Sequence, residues 1–289
     1  MATYYVRTDG NNGNAGTGSA TNQAWRTVTY ALANMVLTTG TNYLYIAPGA
    51  YREAPTVTIT PSSTQTLVIS GDPTASQFSD LTAGVVRLTN FTSDTANPSN
   101  ANILTISGKT YITIENIYFE MYNTTGSNFC ILGASNSNFI TVQKCAFIGQ
   151  DNGAYNVNGI QLSTSTTINV TIDKCIFARM YISFWLVSTA TAGTSQNVAI
   201  TRSLFLNPDI SAIYMTGNGI GRTVYNCTFA YSDRGCVGLA NAEASSTGVY
   251  NCLFYAGNSF ALSTNGVGIV ENYNRFVAIV ARNNVSPSG

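Results

Sequence analysis

A phenylalanine returns at a near-constant interval through the middle of this chain, each time at the end of the same short pattern. Six segments carry it: Ile112 to Phe119, Ile140 to Phe147, Val170 to Phe177, Val198 to Phe205, Val224 to Phe229 and Val249 to Phe254. The successive phenylalanines lie 28, 30, 28, 24 and 25 residues apart. A weaker seventh copy is read at Ile279 to Val285. A recurrence of this length is the mark of a solenoid, in which each repeat buries its apolar face only against its neighbours.

Within each copy apolar and polar residues alternate, as in Ile112-Thr113-Ile114-Glu115, which means a strand with one buried face. A polar corner follows (Asn116, Lys144, Lys174, Arg202), then a small inward residue and the inward Phe. A second apolar stretch comes after each Phe: Cys130-Ile131-Leu132, Gly159 to Leu162, Ala212 to Met215, Cys236 to Leu239. Two or three short strands per repeat make one coil, and coils stack at the sheet spacing of about 4.8 Å. Like residues should then pile up in columns. A β-sandwich, the structural rival, would not require the same residues to recur in register.

The expected fold is all-β, a right-handed parallel β-helix with a short N-terminal capping helix. Residues 1–42 would form the cap and 43–289 the coils, one structural domain overall. Trp25, Val28, Leu32, Met35 and Val36 recur at helical spacing, predicting a helix over Ala24 to Leu37 that covers the open end of the core. Strands are expected at Tyr43 to Ile46, Thr56 to Ile59, Leu67 to Ile69 and Val85 to Leu88, and a further coil at Val277 to Val285.

These motifs have a family resemblance. Tyr4-Tyr5-Val6 with Asp9 to Thr17 and Ala24-Trp25-Arg26-Thr27-Val28 resembles the N-terminal cap of the right-handed parallel β-helix superfamily. Tyr45 to Glu53 resembles its first coil, and the Asn-Cys-x-Phe units match its generic repeat. The resemblance implies the fold. It leaves activity open, because the superfamily holds pectate lyases, polygalacturonase-like hydrolases, phage tailspikes and proteins without catalysis.

Composition narrows the chemistry. Charged residues are 9%, with 13 basic and 13 acidic side chains, so no basic stripe offers itself to nucleic acid. The chain has no His, which removes Ser-His-Asp triads and His-bound metals. Resemblance to the lyase branch would imply clustered carboxylates on Ca²⁺, yet the acidic residues are scattered with no Asp-x-Asp pair. No cofactor is expected, calcium entering only with the lyase alternative. No apolar run approaches the ~18 residues of a membrane span, and Met1 to Arg7 lacks the apolar stretch of a secretory signal. A virion or extracellular surface is the expected location.

Two candidate sites follow. Glu115, Gln143, Asp173 and Thr201 share one outward position, and Lys144, Lys174 and Arg202 lie at the adjoining corner. Stacking places Glu115 and Asp173 two coils apart, on the order of 10 Å, near the upper end of the roughly 6.5–9.5 Å between the carboxyls of an inverting glycosidase. They are either an acid–base pair in a carbohydrate groove or a solvated ladder that fixes coil register. In Tyr181 to Val187, inward Ile182, Phe184 and Leu186 would display Tyr181 and Trp185, and the reverse register would expose Phe184; either way an aromatic is shown as a sugar platform or subunit contact. Cys145, Cys175, Cys227 and Cys252 share an inward column with Ile117 and Ser203, which reads as small core filling by free thiols. The favoured function is a non-catalytic structural or adhesive protein, a phage tail, fibre or capsid-surface component contacting glycans, assembled as a homo-oligomer with a trimer favoured. The alternative is a polysaccharide lyase or glycoside hydrolase.

Overall fold

The computed structural model describes residues 1–93, 99–122, 126–149, 156–191, 194–217, 219–232, 235–240, 247–255, 260–264, 269–277, 281–283 and 286–287. Its strands form three sheets of 11, 9 and 8 strands. Sheet A takes Thr3–Val6, Gly40–Ile46, Gln65–Gly71, Thr110–Glu115, Asn138–Gln143, Ile168–Asp173, Ser195–Thr201, Ile220–Tyr225, Thr247–Tyr250, Val270–Asn272 and Ser286–Pro287 in that spatial order. Sheet B begins at Gly49–Arg52 and ends at Arg275–Val277, and sheet C runs from Leu104–Thr105 to Ala281–Asn283. Every ladder is parallel, and each strand pairs with its counterparts one repeat away. The chain is a right-handed parallel β-helix.

Side-chain columns make the core. Ile112, Ile140, Val170 and Val198 stack in register, as do Ile114, Val142, Ile172 and Ile200. Phe119, Phe147, Phe177, Phe205, Phe229, Phe254 and Phe276 form one column, ring on ring at 4.6–5.0 Å with nearly parallel planes. Six successive coils turn from sheet A into sheet B at a single residue in the left-handed region: Asn116, Lys144, Lys174, Arg202, Asn226 and Asn251, with φ between 49° and 58°. One left-handed residue swings the chain through the corner and sends the next side chain back inside. That next position is Ile117, Cys145, Cys175, Ser203, Cys227 and Cys252, all buried. The cysteines are free thiols, and burial pushes Cys175 up to about 12 and Cys145 well above its usual value.

The N-terminal helix is shorter than its spacing predicts, covering Val28–Asn34 rather than Ala24 to Leu37. Ala24 and Trp25 are held by other hydrogen bonds: Trp25 N–H donates to the Tyr5 carbonyl, and the Trp25 carbonyl accepts from Arg7 N–H. Thr27 caps the helix, its side chain accepting from Tyr30 N–H at 3.2 Å, while Glu53 accepts from Val28 and Thr29 N–H at 2.8 Å. Val28, Ala31 and Leu32 then press on the core. Arg7 ties this end together, donating to Asp9, Asp80 and the Ser19 carbonyl from a nearly fully buried position.

Two further expectations are corrected. Thr56 to Ile59 is no strand; it makes one isolated bridge, Thr56 to Thr105. The copy after Phe254 is Ile269 to Phe276, whose Phe276 completes the ring column and whose Tyr273 takes the left-handed corner at φ 56°. The copy read at Ile279 to Val285 lies partly outside the described residues; Ala281–Asn283 belongs to sheet C.

Candidate functional site

Alternation along sheet A leaves three columns of side chains on its outer face. The column next to the corner runs Ser70, Glu115, Gln143, Asp173, Thr201 and Tyr225. The middle column is Thr113, Thr141, Thr171, Ala199 and Thr223. The third holds Tyr111, Phe139, Asn169 and Asn197, one position before the inward Ile112, Ile140, Val170 and Val198. Sequence reasoning missed this third column, although carrying the alternation one residue further back reaches it.

In the first column both candidate carboxylates are fully engaged. Glu115 accepts from the Ser70 hydroxyl at 2.9 Å and from the Gln143 amide at 2.7 Å. Asp173 accepts from Thr201 at 2.7 Å and from both Nε and Nη2 of Arg202 at 2.7 and 2.6 Å. Burial would raise the Asp173 pKa, but the hydrogen bonds from Arg202 and Thr201, with the Arg202 and Lys174 charges, outweigh it and hold it below the usual carboxylate value. A general acid needs the opposite shift. Gln143 also occupies the coil between the two carboxylates and is bonded to one of them. Lys144 and Lys174 are exposed at the corner, and Arg202 leans from the same corner onto Asp173.

The third column builds a different surface. Tyr111 and Phe139 stack at 4.5 Å with planes 5° apart. Both have positive φ, 56° and 52°, a conformation rare for bulky residues and found where surrounding structure enforces it. Beside them runs an amide ladder: Asn138 Oδ1 accepts from Asn169 N–H at 2.7 Å, and Asn169 Oδ1 accepts from the Asn197 amide at 2.9 Å. Phe139, Asn169 and Asn197 line a shallow groove of about 440 Å³ with Thr141, Thr171, Ala199, Gly221 and Thr223, and Tyr111 backs Phe139 from the preceding coil. No charged side chain lines it. An aromatic face, amides and hydroxyls on a flat sheet can stack on the C–H face of a sugar ring and hydrogen-bond its hydroxyls.

Tyr181 and Trp185 lie elsewhere. Phe184 and Leu186 point into the core and Ile182 is buried, the first of the two registers, and Trp185 stands on the outer face of sheet C between Gln161 and Tyr214. Its ring is 6.3 Å from those of Phe129 and Tyr214 and half-buried. Tyr181 is half-buried, and its carbonyl accepts from Ile210 and Ser211 N–H. Neither residue is on the face that carries Glu115 and Asp173.

Among the described residues no cluster of three or more His, Cys, Asp or Glu side chains is placed to hold a metal, and no helix is long and apolar enough to cross a membrane. No family model and no curated protein matches the sequence. Solved structures do. A rhamnogalacturonan lyase aligns over 96% of this chain and 74% of its own, at 12% identity and a TM-score of 0.49. The lacto-N-biosidase of Eubacterium ramulus aligns over 96% of this chain at 10% identity and a TM-score of 0.48; the match spans only 56% of that protein. The ORF18 protein of Geobacillus virus E2 aligns over 98% of this chain and 60% of its own, at 12% identity and a TM-score of 0.45. Likenesses this distant carry no functional argument, and the named activities stay with those proteins.

Proposed function

We propose that this chain is a non-catalytic adhesive β-helix module that holds a neutral glycan on the outer face of sheet A, as a surface component of a virion. The observation that carries the reading is Phe139, stacked on Tyr111 behind it, set against the Asn169–Asn197 ladder and the threonine column in a groove without charge. Coil after coil presents the same kinds of group at the sheet spacing, which suits a ligand that is itself a linear repeat. The carboxylates next to it are committed to Ser70, Gln143, Thr201 and Arg202, which supports binding over hydrolysis.

Binding of neutral and acidic oligosaccharides by calorimetry tests this. Neutral glycans should bind, and Phe139→Ala should weaken them at least tenfold while the fold persists by circular dichroism. A cleavage screen with and without calcium is the counter-test. New reducing or unsaturated ends that disappear in a Glu115→Gln/Asp173→Asn double variant would overturn the non-catalytic reading. Tail or capsid genes beside its own gene would support the virion setting.

A further inference from the structure

The outer face of sheet A runs on past the last threonine of the groove. The middle column, Thr141, Thr171, Ala199 and Thr223, continues in register to Gly248. The column next to the corner, with Asp173, Thr201 and Tyr225, continues to Tyr250. Val249 between these two residues packs into the core, so Gly248 and Tyr250 both belong to the outer face. Gly248 is nevertheless buried. The Tyr250 side chain covers it: a Cβ added at Gly248 would collide with Cε2, Cζ and Oη of that ring. The far end of the ring therefore fills the place of the missing side chain, leaning along the strand from the corner column into line with the threonines. A glycine inside a strand weakens it and marks a place where another group comes close to the backbone. Here that group is an aromatic ring. In the preceding coil Thr223 fills the equivalent position, and Tyr225 has no such berth.

We propose that Tyr250, brought into line by Gly248, is a second aromatic contact beyond the far end of the groove, and that the ligand is a linear chain of several neutral sugars lying along the solenoid axis. The assignment rests on the neutral-glycan reading of the groove and specifies its ligand. Phe139 stands at one end, 42% exposed, and Tyr250 at the other, half-buried. Four strand steps separate Asn138–Gln143 from Thr247–Tyr250, on the order of 19 Å at the sheet spacing. A single sugar or a disaccharide reaches only one of two aromatics that far apart. A longer chain reaches both and lays its hydroxyls on Thr141, Thr171 and Thr223 between them. Tyrosine suits the outer position, because its ring offers an apolar surface to sugar C–H groups while its hydroxyl donates and accepts hydrogen bonds. Two weak contacts joined through one ligand reinforce each other, since the second forms at the high effective concentration set by the first. Affinity then rises with chain length and levels off once the chain spans both rings.

Calorimetry with cello-, xylo-, malto- and chito-oligosaccharides, each from disaccharide to hexasaccharide, tests the proposal. In the series that binds, the hexasaccharide should bind at least tenfold more tightly than the disaccharide. Tyr250→Ala should remove most of that gain, and Tyr250→Phe, which keeps the ring, should retain most of it. Gly248→Ala, whose added methyl displaces the ring, should match Tyr250→Ala, and in the Tyr250→Ala background it should cost nothing more. Circular dichroism checks the fold of each variant; should Gly248→Ala fail to fold, the two Tyr250 variants decide the matter by themselves. Equal affinity at every length, or a gain with length that survives Tyr250→Ala, would overturn this inference and leave the glycan groove standing. Absence of binding in all four series would overturn both.

Discussion

The Arg202 guanidinium grips the Asp173 carboxylate of the neighbouring coil with two parallel bonds, Nε to Oδ1 at 2.7 Å and Nη2 to Oδ2 at 2.6 Å. Paired this way, the two residues pin one coil to the next at the corner of sheet A.

That pair carries a pH signature. The Asp173 pKa is lowered in the folded chain. A carboxyl shifted down contributes stability above its unfolded value, about 3.9, and loses it as pH falls through the folded value. Asp173→Asn should therefore melt below the native chain at neutral pH. The gap should narrow below about pH 4 and go on closing as the solution becomes more acid. Melting curves across that range provide the check; a gap that stays constant into acid would mean the pair does not act through its charge.

The corner itself predicts a stabilising change. Lys144 sits in the left-handed region at φ 53° and its side chain is exposed. An L-residue with a Cβ is held there at a cost of roughly 1–2 kcal/mol, from which Gly and, in part, Asn are exempt. Lys144→Gly gives back about 0.5–1 kcal/mol of that through the freer unfolded chain. A net gain on the order of 0.5 kcal/mol should remain, and Lys144→Val should lose more than 1 kcal/mol, since β-branched residues resist positive φ. Urea titrations with unchanged slope would measure both. Equal loss in the two variants would refute the conformational account.

What the sequence discloses follows from this corner and its neighbours. A solenoid requires equivalent residues to recur, so the phenylalanine column, the cysteine column and the polar corner all stand out in the linear order of residues. The Ile269 to Phe276 copy does not, because Glu271 takes an inward position there and Asn274 replaces the small residue. Helix limits depend on which backbone groups are already bonded, and nothing local in Ala24-Trp25 declares that Tyr5 and Arg7 hold Trp25. The groove is hidden for another reason: Tyr111 and Phe139 read as ordinary aromatics until their backbones turn them outward into a stack. Whether a carboxylate is free or engaged depends on partners about 28 to 45 residues away, such as Ser70 for Glu115.

The ring column predicts a graded cost along its length. Phe177 is fully buried between Phe147 and Phe205, whereas Phe276 ends the column half-buried. Truncating a buried Phe to Ala typically costs about 3–5 kcal/mol, the spread reflecting how far the site can collapse. A rigid stack of rings collapses poorly, so Phe177→Ala should fall at the upper end and Phe276→Ala well below it. Equilibrium denaturation of both variants compares them directly. Equal losses would mean the column is not one continuous core.

The last prediction concerns a charge inside the coil. Arg222 occupies the inward column of Val170 and Val198 and is fully buried. Its Nη2 reaches the carbonyls of Thr216 at 3.0 Å and Gly217 at 3.1 Å, and the Gln196 side chain. Its Nε and Nη1 are buried with no hydrogen-bond partner. Burial lowers its pKa to about 10, so the guanidinium stays charged at neutral pH with no carboxylate beside it among the described residues. A base shifted down in the folded state weakens folding wherever it is protonated, and the penalty eases only as pH rises above that value. Unpaired buried donors cost roughly 1–3 kcal/mol each, whereas an apolar side chain of similar length fills the same column without that debt. Arg222→Met should therefore raise the neutral-pH stability by about 1 kcal/mol, after the lost bonds to Thr216 and Gly217 are set against the relieved charge. Arg222→Lys should not, because it keeps the charge and forfeits the fork. A methionine variant that melts lower than the native chain would show that the three Nη2 contacts outweigh the buried charge.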